Sequence, residues 1–308
     1  MTKIPVGATI AATYRFTFGK FLDLLGVTWL PLGLVFAVGY YVGPTMLQIS
    51  LAMQTQDFAT VRRFLPALIP VYLGLPLLFV MLAAGVSQEV LGMRTRSSRV
   101  YFSLGKPIWR LIGAYLLAWL AFSIGVTGLS MIAAICLGLV ALVAVIAGVG
   151  KGAIVTTFVA IFVITVYGAV IYAVVRLLFL LAPVTIAEER IGLRRAWSLG
   201  RGNFWRILLV FLGVFVPVTV IEFILFFVFT PHGLLNFPPP GASPEVRAAF
   251  ARMWAAQMTA GQVRNREYWY LLAPLNMAFT TVFLGLGVGA QCFAYRALVP
   301  GGSKNESQ

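Results

Sequence analysis

The sequence predicts an all-α integral membrane protein with six transmembrane helices, arranged as three helical hairpins with both termini on the inner side. Three observations favour this class: the apolar composition, a short phrase that occurs three times, and the distribution of positive charge. Sixty per cent of the 308 residues are hydrophobic and only 10% are charged. No soluble domain of this size can bury so much apolar surface, so lipid must solvate much of the chain.

The repeated phrase consists of an aromatic residue, a hydroxyl residue, a large apolar residue, glycine and a cation. It occurs at 16–20, 102–106 and 197–201, each time immediately before a long apolar run. Successive copies lie 86 and 95 residues apart, which is the length of a helical hairpin with its loops. If every copy marks the same membrane face, an even number of spans separates them. The repeat units that this predicts are 5–96, 97–187 and 188–298.

Six apolar runs are long enough to cross the hydrocarbon as a helix, which takes about 20 residues. They are 22–42, 66–90, 108–147, 153–181, 206–230 and 269–295. With the N-terminus inside, sixteen of the 23 Lys and Arg residues lie in inner segments and seven in outer segments. This asymmetry is the positive-inside bias of membrane proteins, and the same assignment places all three phrases inside. Charge and repeat therefore agree on six spans with both termini inside.

The run 108–147 is long enough for two spans, with a turn at Gly125-Val126-Thr127-Gly128 between them. That break alone would make seven spans and would put the phrases on different faces. We therefore expect one long, kinked helix of about 60 Å, roughly twice the hydrocarbon thickness. The helix must therefore tilt, or the part of it that exceeds the hydrocarbon thickness must fold back as a re-entrant segment or be covered by a partner. The sequence leaves these alternatives open. The hairpin 108–181 is accordingly the expected surface for a homo-oligomer or a protein partner.

The outer loop 231–268 contains a predicted amphipathic helix. Ser243 is suited to cap it and Pro244 to stand in its first turn. Its apolar face would consist of Val246, Phe250, Met253, Trp254 and Met258. We expect this helix to lie on the outer leaflet, with 5–20 and 187–204 as counterparts on the inner face.

Composition also excludes several classes of protein. Cys136 and Cys292 both fall within apolar runs, so a disulfide framework is not expected. A single histidine, His232, excludes most histidine-based metal sites. Since no pairing of His with Asp or Cys and no pair of intramembrane carboxylates is evident, we expect no enzyme, no catalytic residue, no metal and no cofactor. The excess of cations is assigned to the membrane surface rather than to nucleic acid. No cleavable signal is expected, and the short polar tail 300–308 predicts disorder.

The segment from Pro183 to Arg206 carries a family resemblance. The pattern is a proline, an acidic residue, Arg-Ser-Trp-x-Leu, a glycine and a Trp, and the matching residues are Pro183, Glu188 or Glu189, Arg195, Trp197, Leu199, Gly202 and Trp205. It resembles the signature of a bacterial family of six-span proteins: the membrane domain found beside glycerophosphoryl diester phosphodiesterases, and related uncharacterised inner-membrane proteins. Ala196 stands where that family has Ser. We expect no catalytic phosphodiesterase domain after the sixth span, so the resemblance implies a membrane architecture in the bacterial inner membrane rather than an activity.

One group of candidate residues combines cations with tryptophans near the predicted inner face. It comprises Lys20, Lys106, Arg195, Trp197, Arg201 and Trp205. Aromatic rings favour the headgroup region and cations meet lipid phosphate, so these residues can be structural anchors. The alternative is a ring of three cations around a pseudo-threefold axis that binds an anionic lipid or substrate headgroup. Glu188 and Glu189, next to Arg190, Arg194 and Arg195, predict a solvated, salt-bridging face.

The second candidate is Glu222, which lies about 24 Å into the fifth span. An acidic residue at that depth is costly and is a functional hypothesis by default. Asn276 and Thr280 of the sixth span match it in depth. The structural hypothesis is a protonated carboxyl group hydrogen-bonded across the hairpin, and the functional one is a proton- or cation-coupled site. Pro217 would loosen the helix in either case.

The function that the sequence predicts is therefore non-enzymatic. We expect an inner-membrane module that organises lipid, anionic on the inner face, or a protein partner. The alternative is a transporter or permease for a hydrophobic or anionic small molecule that uses the repeat axis and Glu222.

Overall fold

The computed structural model describes residues 3–54, 57–94, 102–146, 151–229, 241 and 243–299. Over these ranges the backbone is helical and contains no strand. The helices are α1 (Val6–Gly19), α2 (Phe21–Gln54), α3 (Phe58–Val90), α4 (Lys106–Ile146), α5 (Lys151–Ala187), α6 (Leu193–Leu199), α7 (Phe204–Phe229), α8 (Pro244–Glu267) and α9 (Trp269–Leu298). A helix satisfies its own backbone hydrogen bonds, which is the requirement for a segment that lies in hydrocarbon.

Six of these helices are long and apolar enough to cross a membrane. The qualifying segments are Phe21–Met53, Phe58–Val90, Lys106–Val140, Val159–Ala187, Phe204–Ile224 and Trp269–Leu298. They overlap the six predicted runs one for one, so the prediction of an all-α chain with six helices long and apolar enough to span a membrane is confirmed. The orientation and the three-fold repeat stay predictions.

The helix α4 runs without interruption from Lys106 to Ile146. Both Gly125 and Gly128 lie inside it, so the alternative of a turn at these residues is not the structure observed. Its 41 residues span about 60 Å at 1.5 Å per residue. The single long helix is therefore confirmed.

Two helix starts are fixed by side-chain caps. The Asp57 carboxylate accepts hydrogen bonds from the backbone N and the Oγ1 of Thr60, at 3.1 and 2.6 Å, and these bonds lower the pKa of Asp57. At α8 the Ser243 hydroxyl accepts from the Val246 backbone N, with Pro244 in the first turn. Such caps satisfy donors that the first helical turn leaves free. The predicted start of α8 is confirmed, whereas residues 231–240 and 242 of its loop and the tail 300–308 lie outside the described part.

Each copy of the repeated phrase lies at the entry to a long apolar helix. The first copy ends α1 and is followed by α2 at Phe21, the second ends at Lys106 where α4 begins, and the third ends two residues after α6. The three cations are exposed at these positions. The phrase is therefore associated with helix entry.

Contacts within the chain divide it into two compact units. The first unit contains the described residues of 1–9, 105–211 and 291–308, and the second those of 10–104 and 212–290. In the first, α4 packs against α5 and α5 against α6; in the second, α2 packs against α3 and α8. Neither unit corresponds to one of the three predicted repeats, and that division stays a prediction.

Within the second unit, glycines allow α9 to lie close to α1 and α2. A Cβ atom at Gly285 would lie 2.9 Å from a methyl carbon of Thr17 and 2.9 Å from Cδ1 of Leu24. At Gly289 it would lie 3.4 Å from the Thr13 methyl carbon. Small residues permit close helix packing in lipid, where dispersion rather than the hydrophobic effect holds helices together. The buried threonines of α1 are therefore part of its packing face.

A hydroxyl pair also joins α2 to α9. Thr28 and Thr281 are both fully buried, and their Oγ1 atoms lie 2.7 Å apart. Each hydroxyl is also within hydrogen-bonding distance of the carbonyl four residues earlier in its own helix. Interhelical hydrogen bonds of this kind contribute about 0.6 kcal/mol in a membrane, because the unfolded state in lipid also finds partners.

The Tyr14 side chain replaces a backbone hydrogen-bond donor that is missing in α7 because of Pro217. Pro217 has no N–H, so the Gly213 carbonyl, four residues earlier, lacks its helical donor. The Tyr14 hydroxyl lies 3.4 Å from that carbonyl oxygen and 3.2 Å from the oxygen of Val214. Burial raises the pKa of Tyr14, which keeps the hydroxyl protonated and able to donate. An otherwise orphaned backbone acceptor is therefore satisfied by α1.

We predict that Tyr14→Phe lowers the free energy of unfolding by about 1 kcal/mol, because the ring stays while the carbonyl of Gly213 loses its donor. Tyr41→Phe is the matched control, since its hydroxyl makes no hydrogen bond within the described residues and its side chain is 75% exposed. Thermal unfolding of the detergent-solubilised protein measures both. Equal effects of the two substitutions would contradict the assignment.

Candidate functional site: the arginine junction

The chain reverses direction sharply where α5 ends. Leu180, Leu181 and Ala182 are fully buried, and the helix stops at Ala187. Glu189 then adopts a φ of 51°, in the left-handed region that side chains usually avoid. Gly192 follows, and a Cβ atom there would collide with the Val184 side chain. The turn therefore depends on a residue without a side chain at position 192.

The Glu188 carboxylate is the centre of this turn, and only 17% of its side chain is exposed. One oxygen accepts from Nε and Nη2 of Arg190, at 3.0 and 2.6 Å. The other accepts from Nε of Arg195 at 3.0 Å. Glu188 also interacts electrostatically with Tyr295, near the end of α9. The carboxylate thus links the turn, α6 and the end of α9.

We use the name arginine junction for residues 183–206 together with Arg110 and Arg176. Its seven arginines face two carboxylates, so it carries a large positive excess. Arg110 Nη1 donates to Glu189 at 3.1 Å. Arg194 and Arg201 are exposed and make no ion pair with any described residue. Unpaired cations of this kind remain available to an anion from outside the chain.

Arg176 joins α5 to α6 through an aromatic face. Its guanidinium carbon lies 4.0 Å from the centre of the Trp197 ring, its Nε donates to the Trp197 carbonyl at 3.2 Å, and its Nη1 donates to the Tyr172 hydroxyl at 2.6 Å. A cation over an indole ring contributes about 0.5–2 kcal/mol, according to its exposure. Gly200 must approach this group closely, since a Cβ atom there would lie 2.8 Å from the Arg176 carbonyl oxygen.

Aromatic rings continue from this contact to the start of α7. The Phe204 ring lies 5.0 Å from that of Tyr172 and 5.1 Å from that of Trp205. Trp205 is 71% exposed and Trp197 is 38% exposed. Exposed tryptophans at the end of an apolar helix are typical of the membrane–water interface.

The N-terminal segment is held against the same junction. Asn203 is buried, and its Oδ1 accepts from the backbone N of Ile4 at 3.3 Å. Arg206 Nη1 donates to the Ile4 carbonyl at 2.8 Å, and the Ile4 side chain is fully buried. The Arg206 guanidinium therefore binds the N-terminal segment of the protein.

An open cavity of about 310 Å³ lies on the surface of the junction. It is lined by Arg190, Ile191, Gly192, Arg194, Arg195 and Ser198. Ser198 donates its hydroxyl proton to the Arg195 carbonyl at 2.9 Å, which leaves the arginines as the cavity's main donors.

Four of the six predicted headgroup residues lie in this junction: Arg195, Trp197, Arg201 and Trp205. Arg195 contacts Glu188 and Trp197 contacts Arg176. Lys106 is the exposed first residue of α4 in the same unit, while Lys20 is exposed between α1 and α2 in the other unit. The prediction of a solvated salt-bridging face holds for Glu189, which is 71% exposed. It does not describe Glu188, which is mostly buried by its partners.

Sequence reasoning missed Arg176, Tyr172 and Tyr295. Tyr172 and Arg176 stand four residues apart on one helix, a spacing that brings side chains together. That signal was present in the sequence. The contacts with Trp197 and Glu188 depend on tertiary packing, and no local pattern indicates them.

The structure does not join Glu222, Asn276 and Thr280 by hydrogen bonds. Glu222 is exposed on α7 and forms no hydrogen bond or ion pair with any residue that the structure describes. The Asn276 amide donates to the Leu272 carbonyl of its own helix at 2.8 Å. The buried hydroxyl on this part of α9 belongs to Thr281. A coupling role for Glu222 stays a prediction.

Comparison with known proteins identifies no relative: no family model, no curated protein and no solved structure matches the chain. The resemblance of 183–206 to the phosphodiesterase-associated membrane family therefore stays a prediction. Among the described residues no group of three or more His, Cys, Asp or Glu side chains could hold a metal ion.

We predict that Glu188→Gln lowers the free energy of unfolding by about 1 kcal/mol, since it removes two ion pairs whose arginines are partly solvated. Glu189→Gln is the matched control, because that carboxylate is exposed and contacts only Arg110 among its described neighbours. Thermal unfolding at low and high salt measures the difference, which should shrink as salt screens the pairs. A loss for Glu189→Gln as large as that for Glu188→Gln would contradict the central role of Glu188.

Proposed function

We propose that the protein is a non-enzymatic, multi-pass component of the bacterial inner membrane that organises anionic lipid. The observation that carries this proposal is the arginine junction. Its cations outnumber its carboxylates, and two of them, Arg194 and Arg201, lie exposed beside interfacial tryptophans at the ends of apolar helices. Lipid phosphates are the anions that a membrane protein meets at this depth.

Three of the seven arginines of the junction form ion pairs within the chain. Arg190 and Arg195 share Glu188, and Arg110 pairs with Glu189. The remaining charge has no counterion among the described residues. A basic residue close to an anionic leaflet gains about 1 kcal/mol, so several unpaired cations at one depth give a clear preference for anionic lipid.

The proposed orientation places the three phrases and the arginine junction on the cytoplasmic side. The support is the excess of Lys and Arg in the segments assigned to that side. On the opposite side, α8 would lie on the outer leaflet with its apolar residues toward lipid. Its last turn meets α2, where the Arg266 guanidinium carbon lies 4.9 Å from the centre of the Tyr40 ring.

The resemblance of 183–206 to the phosphodiesterase-associated membrane family supports the same role. In that family the segment belongs to a membrane module rather than to a catalytic domain. It is also the basis for proposing a bacterial inner-membrane location. The junction is the part of this chain that carries the resemblance.

The hairpin of α4 and α5 provides a surface for a protein partner or a second copy of the chain. Only 6% of the most apolar stretch of α4 is buried by other parts of the described chain. The helix is about twice as long as the hydrocarbon is thick. We propose that the part of its apolar surface that extends beyond lipid is covered by another protein chain.

A transporter is the second candidate function, and Glu222 is the observation that favours it. The carboxyl group lies among the exposed side chains of Ile221, Phe223 and Ile224 on the most apolar of the six spans. In hydrocarbon such a group is protonated or pairs with a group from outside the chain. Saturable uptake into liposomes would favour this function over lipid organisation.

We predict that the purified protein retains phosphatidylglycerol in preference to phosphatidylcholine when it is reconstituted in nanodiscs that contain both lipids. Replacing Lys20, Lys106 and Arg201 by Gln should reduce this enrichment, by about fivefold for each cation at the protein's surface, the equivalent of about 1 kcal/mol. Mass spectrometry of the retained lipids measures the enrichment.

The matched control is Arg62→Gln, an exposed cation near the start of α3 that the proposed orientation places on the outer side. It should leave the enrichment unchanged. The proposal would be abandoned if the unmodified protein showed no preference, or if the control lowered the preference as much as the inner substitutions do.

A further inference from the structure

The cavity of the arginine junction has the composition of an anion site. Three of its six lining residues are arginines, and Glu188, the nearest carboxylate, is already held by two of them. Three guanidinium groups and one carboxylate leave a net charge of two. These four charged groups lie within eight residues of the chain, from 188 to 195.

The donors that remain in the cavity can be counted atom by atom. Arg190 uses Nε and Nη2 on Glu188, and Arg195 uses only Nε. Nη1 of Arg190 and both terminal nitrogens of Arg195 have no hydrogen-bond partner in the described part of the chain. Arg194 uses none of its five donors there. A ligand with several acceptor oxygens would satisfy them.

Glu188 also restrains two of the cavity's arginines in the absence of a ligand. By binding both Arg190 and Arg195, it fixes the two side chains on either side of Arg194 in sequence. Gly192 packs against Val184 without room for a side chain, which fixes the backbone of the same turn. Preorganised arginines lose less conformational entropy on binding than free side chains do.

The positive charge and the volume of the cavity together favour a small ligand with a phosphomonoester group. A phosphomonoester carries a charge of about −1.5 to −2 at neutral pH and has three strong acceptor oxygens, whereas a phosphodiester carries one charge. Arginine binds such oxygens with paired, parallel N–H donors. The volume of about 310 Å³ lies at the lower end of small-molecule sites. It admits a headgroup but not acyl chains.

We infer that the cavity formed by Arg190, Arg194 and Arg195 is a binding site for a phosphomonoester group, with Arg194 as its main unpaired ligand. The inference rests on the proposed function, because it takes the junction to lie at headgroup depth. The group can belong to a phosphatidic acid in the membrane or to a soluble phosphomonoester such as glycerol 3-phosphate. The cavity lies immediately after the apolar part of α5, which ends at Ala187, so the membrane lipid is within reach.

The test compares the full-length protein with Arg194→Gln in nanodiscs of phosphatidylcholine that contain phosphatidic acid or phosphatidylglycerol. We expect the unmodified protein to enrich phosphatidic acid over phosphatidylglycerol. Arg194→Gln should lower the phosphatidic acid enrichment about tenfold or more, as expected for a lost charge-assisted hydrogen bond. It should lower the phosphatidylglycerol enrichment by no more than the factor of about five expected for one surface cation. Arg194→Lys should retain part of the preference, since lysine keeps the charge and loses the paired donors.

Two controls separate binding from folding. Arg194 makes no hydrogen bond or ion pair with any residue that the structure describes, so the unfolding temperature of Arg194→Gln without added anionic lipid should match that of the unmodified protein. Arg62→Gln should keep the full preference for phosphatidic acid. A second arm adds glycerol 3-phosphate or inorganic phosphate to the protein in zwitterionic nanodiscs and measures the change in unfolding temperature.

The outcomes distinguish this inference from the function on which it rests. An equal loss of both anionic lipids in Arg194→Gln would overturn the phosphomonoester site and leave the organisation of anionic lipid intact. No anionic enrichment in the unmodified protein, without stabilisation by glycerol 3-phosphate, would overturn both. Stabilisation by glycerol 3-phosphate that depends on Arg194, without phosphatidic acid enrichment, would support the site and assign it to a soluble ligand.

Discussion

The requirement that dominates this protein is that backbone polar groups in lipid find their partners within the chain. Helices meet it, and six long apolar helices account for most of the described residues. The one place where proline removes a helical donor inside α7 shows the rule at work. There the Tyr14 hydroxyl, from a neighbouring helix, lies beside the carbonyl that Pro217 leaves free. The position of α1 beside α7 follows from that need as well as from packing.

Charged side chains also need partners within the chain or contact with water, because placing an ion in hydrocarbon is costly. In the first unit, arginines collect where α5 ends and α7 begins, and they bind carboxylates, an indole ring and backbone carbonyls. These contacts hold the basic residues in one arrangement at the surface of the unit. Glu188 contributes most to that order, since it accepts hydrogen bonds from two arginines at once. The exposed cations that remain, together with the exposed tryptophans, are the features on which the proposed affinity of the junction for an anionic interface rests.

The parts of the fold that composition controls could be predicted from the sequence. Hydropathy and length predicted six spans, and the Ser243-Pro244 pair predicted where α8 begins. The uninterrupted α4 was predicted because an even number of spans must separate successive copies of the repeated phrase. This held although Gly125 and Gly128 resembled a turn. Packing partners could not be predicted in this way. Gly39 and Gly285 both begin a small-residue pair, yet a Cβ atom at Gly39 would have open space around it and one at Gly285 would meet Thr17 and Leu24.

The candidate site shows the same division between composition and packing. Arg195, Trp197, Arg201 and Trp205 could be identified from residue type and position beside a span. The burial of Glu188 and the contact of Arg176 with Trp197 required the fold, because each joins residues from different elements. Glu222 was identified from its cost in hydrocarbon, and the hydrogen bond expected for it is not among the described contacts. The position of a polar residue within a span can therefore be predicted from the sequence more readily than the residue with which it forms a hydrogen bond.

The most direct test of this account is the side of the membrane on which the three phrases lie. Single cysteines would replace Lys20, Lys106 and Arg201 in turn, with Arg264→Cys in α8 as the outer reference and with Cys136 and Cys292 changed to Ala. A membrane-impermeant maleimide would then be applied to intact bacterial cells and to inverted vesicles. The account predicts that all three phrase positions react only in inverted vesicles and that position 264 reacts only in intact cells. Reaction of any phrase position from the side opposite to the other two would contradict it.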